Sequence, residues 1–559
     1  MNNKFKMDYS IYAIGAFIAI IGLLFLIARS DLVLKYQYFN ESAGQAVLQQ
    51  EVDASQKIPV YLLLTGPDQP TLQDSLKRRM ELMGKAVVTR SISSIQSEKD
   101  LAAYTSVVVA TEQLDLLEET DIILRFVKNG GSLFLAVRPS PGPILSDLYQ
   151  SLGLVETGHF VETTGIQLEQ PFFGEKGDTA FSTETITNSS LSVRLSNNAE
   201  LFASSSSGIP LLWKALYGKG TFVVFNGTMF ASMMDQALFV KGIQQSSENV
   251  IMPVVNARVT ELSGFPFFVP DGKDLSPSST NRDYYRTVVW PELQRIESKY
   301  DLDYTATYLA PKEVLLSGSE QSLVLDELEF YSRELLRMGG EIAVQKAVSA
   351  TTEQVSQSLE NSLLHIQEIM PDYTVRSIVS SSKETNGELM EDVSAMLVPG
   401  VFMKKIEETI LLPKTINGFD LNDSKRWTLF NEVVSSGFYA HSLHPYRFIE
   451  EGDVEEKMAA FAGFQQVING QIPWMRPLTL SKAGEAAYPY ISSDLYEKQE
   501  GDTLTFSATA KKENMHSYYY FSTHKRILET ENCEVEKIGE DLYLVAAEEL
   551  TFSIVLGGL

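Results

Sequence analysis

The run from Ile11 to Ala28, IYAIGAFIAIIGLLFLIA, carries no charge. An uncharged apolar stretch of roughly 18 residues or more is long enough to cross the hydrocarbon core of a bilayer. A helix buried in a soluble core seldom stays apolar on every face for that length. A cleaved signal would want a shorter run and small residues at its end, whereas Leu23, Leu24, Phe25, Leu26 and Ile27 lead directly to Arg29. Lys4 and Lys6 precede the run, and only Arg29 and Asp31 follow closely. The positive-inside rule then predicts a cytoplasmic N-terminus and an extracellular bulk. The expectation is a single-pass cell-membrane protein with its tip and anchor in residues 1–30.

The rest of the 559-residue chain is too long for one core, so several domains are expected. With 44% hydrophobic and 21% charged residues the composition is globular. Cys533 is the only cysteine, which excludes intramolecular disulfides and any zinc site built on several thiolates. The net charge is −26, and no basic stripe interrupts it, so no nucleic-acid partner is expected. An acidic ectodomain suits a cationic partner, although solubility alone accounts for such a charge.

Residues 31–56 read as a polar, Gln-rich spacer. Short apolar runs at Val60–Leu64, Ala86–Thr89, Ser106–Ala110 and Ser132–Val137 alternate with helical spacing over Leu72–Met83 and Leu114–Val127. Strands alternating with helices predict a parallel sheet, and the run YGKGTFVVFNGTM over 217–229 supplies a closing strand. This first α/β domain covers 57–245. In residues 246–490, strands are predicted over 254–259, 265–269, 304–309, 341–344, 374–379 and 401–403. Helices over 284–300, 329–338 and 355–370 lie between them, the pattern of an irregular β/α barrel. Residues 491–559 carry evenly spaced runs at 503–508, 518–521, 541–546 and 551–556, which predict a small β-sandwich. The fold class is therefore α/β, behind one transmembrane helix.

Acidic turns at strand ends are where a barrel places a catalytic base or a metal. Asp271 and Asp274, after FPFFV, are the best such pair, with an ordinary Asx turn as the alternative. Two of the six histidines, His441 and His444, lie in FYAHSLHPY. At that spacing an acid–base or metal role is chemically feasible, and so is a polar rim. His365 sits on a helical face and reads as structural. Trp474 and Arg476, in IPWMRPLT, either line a sugar groove or pack at a domain junction.

Residues 57–245 resemble the class I glutamine-amidotransferase-like, flavodoxin-like fold. That family places a cysteine after a central strand. Here Val107-Val108-Val109 runs into Ala110-Thr111, so the resemblance implies a scaffold or binding module. The order strand, Asp-Gly turn, helix and then FYSRELLRMGGEIAVQ resembles NodB-type polysaccharide deacetylases. That resemblance implies metal-assisted hydrolysis of an acetyl group, with a His-x-x-x-His pair after the Glu341-Ile342 strand. Gln345 and Ser349 stand at the two histidine positions, and both are poor zinc ligands. The resemblance leaves Asp271, Asp274 and His444 as catalytic candidates, the last matching the family's late acid. His441, Tyr446, Trp474 and Arg476 become candidates for substrate binding. No metal or other cofactor is expected, and zinc or another divalent ion would be needed for activity.

Taken along its length, the chain resembles the deacetylase-like membrane proteins of Pel exopolysaccharide operons in Gram-positive bacteria. The implied function is an extracytoplasmic component of exopolysaccharide biosynthesis and biofilm formation. It would bind a hexosamine-rich polysaccharide, or a synthase and transport complex, through a catalytically degenerate barrel. The alternatives are an active deacetylase with an atypical metal site and a membrane-anchored scaffold for protein partners.

Overall fold

A computed structural model describes residues 16–22, 46–174, 177–182, 186–265, 272, 275–276, 278–310, 318–346, 352–382, 392–400, 402–445 and 453–558. Of the expected anchor, only 16–22 is described. It is helical, with Phe17, Ile18, Ile20 and Ile21 at least half exposed. Among the described residues no helix is long and apolar enough to cross a membrane.

The chain is mixed α/β. In the first unit, Ala86–Ser91, Val60–Thr65, Ser106–Ala110, Ser132–Leu135 and Gly220–Phe225 lie side by side and parallel. In chain order this is 2-1-3-4-5, one of the two common doubly wound orders. Every residue of Ser106–Ala110 is buried, which is why the strand reads as an unbroken valine run rather than an alternation. Antiparallel strands Pro210–Tyr217, Ala199–Ser204, Ile166–Leu168 and Ala180–Phe181 extend the sheet. The helix expected over 114–127 is instead a 3-10 turn, Leu114–Leu116, followed by the helix Thr120–Lys128.

The second unit is a ring of parallel strands. Ala257–Ser263, Tyr304–Tyr308, Glu341–Lys346, Ser377–Ser380, Ala395–Pro399 and Thr409–Lys414 pair successively in parallel. The sixth strand continues through Thr415 into Ile416–Asn417, which pairs with the seventh, Phe438–Leu443. That seventh strand pairs with the first. The pairings thus return to their start after seven described strands. Residues 265–269 were expected to be a strand. Phe265 lies just past the end of Ala257–Ser263, and 266–269 lie outside the described residues.

The helix Leu480–Ser492 closes the ring at the N-terminal ends of its strands. Leu480, Ala483 and Ala487 share a buried cluster with Ala257, Val259, Ala395, Leu412 and Ala440. The N–H of Leu480 donates to Thr305 Oγ1 at 2.8 Å. The N–H of Ser481 donates to Glu341 Oε2 at 2.9 Å, and Ser377 donates its hydroxyl to Glu341 Oε1 at 2.6 Å. A carboxylate at a helix start satisfies N–H groups that have no partner inside the helix.

The C-terminal unit consists, among the described residues, of two four-stranded antiparallel sheets. They share one core that includes Ile251, Leu495, Phe506, Phe521, Val545 and Ile554. One edge strand, Asn249–Val254, precedes the ring in the chain and pairs with Ser517–Thr523. The single strand expected over 254–259 is therefore two strands serving different units. Asn256, at φ 52°, makes the left-handed bend between them, a conformation that asparagine adopts more readily than most residues. Val47–Gln49, within the expected spacer, pairs with Ala510–Lys512.

Gly484 brings the closing helix close to the ring strand Ala395–Pro399. A Cβ there would stand 2.6 Å from Ala395 Cβ. Gly484→Val is expected to lower stability by about 1–3 kcal/mol through overpacking. Urea unfolding monitored by circular dichroism would measure it.

Candidate functional site

Glu261, on the first ring strand, is fully buried. Its Oε1 accepts a hydrogen bond from Thr307 Oγ1 at 2.8 Å. Its Oε2 lies 3.0 Å from Lys414 Nζ, with 11% of the lysine side chain exposed and none of the glutamate's. The first and sixth strands are not neighbours, because the seventh lies between them. The ion pair therefore reaches across the lumen, and both side chains point into it.

Ser442 on the seventh strand is in register with Glu261 on one side and Asn417 on the other. It shares the lumen-facing side with Glu261. Its hydroxyl is buried and has no hydrogen-bond partner among the described residues. Such a group costs free energy unless something satisfies it. Gln345, near the end of the third strand, donates to Ser381 Oγ at 3.3 Å. His444 stands half-buried just past the end of the seventh strand. These residues gather toward the C-terminal ends of parallel strands, where barrel folds of this kind place their ligand sites.

The segments 266–271, 311–317, 347–351, 383–391 and 446–452 follow ring strands in the sequence and lie outside the described residues. Asp271, Asp274, Ser349 and Tyr446 are outside them too. Among the described residues, no three His, Cys, Asp or Glu side chains come together as a metal ion would require.

His441 does not line the lumen. Strand alternation turns it outward, one residue from Ser442. There it is fully buried, with Phe464 at 4.3 Å and Phe461 at 5.6 Å between ring centroids. Its Nε2 meets the Gly418 carbonyl at 2.5 Å. Since a carbonyl only accepts, Nε2 carries the proton. Burial pulls its pKa down to about 4, so the imidazole is neutral at physiological pH. This corrects the expectation of a substrate contact.

Trp474 and Arg476 also lie away from the lumen mouth. Arg476 pairs beside Ala257, at the start of the first ring strand. Its guanidinium donates to the carbonyl of Asn256 at 3.1 Å and lies 4.3 Å from the Tyr518 ring centroid. Trp474 packs on Phe173, with centroids 5.2 Å apart. The two residues join the ring to its neighbouring units, as the packing alternative expects. His365 is structural as well, its Nδ1 2.8 Å from the Tyr308 hydroxyl.

In the first unit, the crevice beyond the carboxyl ends of the central strands is the usual ligand position of a doubly wound sheet. Here Asp68 occupies it. Its carboxylate accepts the Thr111 hydroxyl at 2.5 Å and the Glu112 N–H at 2.9 Å.

Lys414→Met leaves Glu261 buried and unpaired, so a loss of about 3–5 kcal/mol is expected. The double variant Glu261→Gln/Lys414→Met is expected to recover most of it, as chemical denaturation of both would show. His441 supplies a pH test. Its folded pKa lies below the ordinary 6.5, so the unfolded chain binds a proton that the folded one refuses. Stability attributable to it is full above pH 6.5 and falls toward pH 4. Between these values wild type is expected to lose up to about 3 kcal/mol more than His441→Gln, measured as the difference in denaturation midpoints with pH.

Residues 181–313 and 360–544 match a family described as an uncharacterised protein conserved in bacteria, DUF2194. No curated protein matches the chain. Among solved structures, a β-galactosidase from Bacillus circulans sp. alkalophilus is 15% identical over 36% of this chain and 34% of its own, with a TM-score of 0.25. A thua-like protein from Bacteroides uniformis ATCC 8492 is 9% identical over 36% of this chain and 95% of its own, with a TM-score of 0.26. The exo-β-1,4-mannosidase Op5Man5 from Opitutaceae bacterium strain TAV5 is 12% identical over 34% of each chain, with a TM-score of 0.23. The chain thus spans about a third of the length of either glycosidase. With more than half of its residues matched, the chain belongs to the DUF2194 family of bacterial proteins.

Proposed function

We propose that this protein is a membrane-anchored, extracytoplasmic component of exopolysaccharide biosynthesis of the Pel type. In this reading the ring is a deacetylase-like barrel that holds a hexosamine-rich polymer at its mouth without hydrolysing it. The flavodoxin-like first unit acts as a scaffold, in keeping with the crevice that Asp68 and Thr111 fill. The observation that carries the reading is the buried, unpartnered hydroxyl of Ser442 beside the Glu261–Lys414 pair.

Sugars present hydroxyls that both donate and accept. Lys414 offers a donor, Glu261 an acceptor, and Ser442 either. The Lys414 ammonium also takes the place that a metal cation would take against Glu261, so this cluster suits binding rather than metal-assisted hydrolysis. The uncharged run over 11–28 supports anchoring, and the −26 charge is compatible with a polymer bearing free amino groups.

Removing an unpartnered hydroxyl costs the empty protein little, whereas removing it from a bound complex costs a hydrogen bond. Ser442→Ala is therefore expected to unfold at the wild-type midpoint and to bind N-acetylglucosamine oligomers about fivefold more weakly, as calorimetry would report. Unchanged affinity would remove the lumen as the binding site. Zinc-stimulated acetate release that is abolished by Asp271→Ala would replace the binding reading with a catalytic one.

A further inference from the structure

A cavity of about 310 Å³ lies between the two edge strands Asn249–Val254 and Leu495–Glu500 of the C-terminal unit, walled on its third side by Lys57 and Thr105 of the first unit and by Ser247. Its composition departs from what a sandwich needs. Leu495, Glu497 and Gln499 share one face of their strand. Glu497 is in register with Phe506 and Gln499 with Leu504, and both of those partners belong to the buried core. Two polar side chains thus line the cavity from this face, Glu497 half-buried and Gln499 exposed, with Lys57, Glu248 and Lys498 also in the lining.

The backbone of Glu497 is pinned by reciprocal hydrogen bonds with Lys57, at 3.0 and 2.9 Å. Burial pushes its carboxyl pKa above the ordinary range, which the nearby Lys85 partly offsets. Lys85 is itself committed, donating to the Ile251 carbonyl at 2.8 Å. Ile251, Phe506 and Phe521 contribute the apolar part of the lining.

We infer that this cavity is a second ligand site, taking one amino-sugar unit of a glycan with its ammonium at Glu497 and an apolar ring face toward Ile251 and Phe521. The size fits a single unit, since pockets of this class begin at roughly 300 Å³. Gln499, whose amide donates to the Gly501 carbonyl at 3.2 Å, supplies its side-chain oxygen for a ring hydroxyl. This inference rests on the glycan reading of the protein but not on the lumen.

The two sites separate experimentally. The full-length chain in detergent micelles is titrated calorimetrically with a glucosamine tetramer and with its fully N-acetylated counterpart. Two glucosamine-tetramer sites per chain are expected. Glu497→Gln should remove one of them, or weaken it at least tenfold, and should leave N-acetylated tetramer binding in the lumen intact. Gln499→Leu should weaken the same site. The Glu261→Gln/Lys414→Met variant should lose only the other. If Glu497→Gln and Gln499→Leu both titrate like wild type, the cavity is not a site and the lumen stands alone. If the lumen variant titrates like wild type while Glu497→Gln abolishes all binding, the lumen reading falls and the cavity stands. A wild-type chain that binds neither tetramer overturns both.

Discussion

The carboxylate of Glu341 ties the ring to the helix that closes it. A carboxylate inside a lumen is costly unless hydrogen bonds replace its water. Ser377 and the first turn of Leu480–Ser492 supply them, at 2.6 and 2.9 Å. Burial still pushes the Glu341 pKa up, and those bonds pull it down. Once this contact is made, the N-terminal mouth is shut by helix and the apolar residues of that helix fill the lumen behind it. Any ligand must then approach from the other end of the strands.

The lumen holds a second carboxylate, and the contrast between the two is chemical. Glu341 is saturated by groups that have no other task. Glu261 faces a lysine ammonium, with the unused hydroxyl of Ser442 beside it. Apolar replacement of such a buried pair is often neutral or stabilising, and a buried hydroxyl with no partner among the described residues adds a further cost. The Asp68 cluster of the first unit is the counterexample, since its acceptors are used within the unit.

Much of the architecture is legible in the sequence. The valine run of 106–110 and the strands 503–508 and 551–556 fall where their apolar patterns place them. Arg526–Glu531 and Cys533–Lys537 escape, because their exposed glutamates hide the alternation. The lumen residues escape for a related reason. In VTELS and TILLPK a single charge near the end of an apolar strand looks like a boundary, whereas in a parallel ring it marks the mouth. The run FYAHSL shows the reverse error. Chemistry draws attention to His441, but strand alternation gives the lumen to Ser442 and turns the histidine into the packing layer. Asp271, Asp274, Ser349 and Tyr446 lie outside the described residues.

The strand Asn249–Val254 has a consequence for how the chain is made. Thr523, whose hydroxyl bonds Asn249, lies 274 residues further on, and the whole ring is synthesised in between. Non-local pairing of this kind is slow to form and leaves an edge exposed while it waits. During synthesis the strand emerges long before its partner, so a chaperone or the ring itself must shield it. A C-terminal truncation would then do more than delete a small domain. It would strand an apolar edge in the middle of the protein, turning an apparently peripheral loss into aggregation of the entire chain.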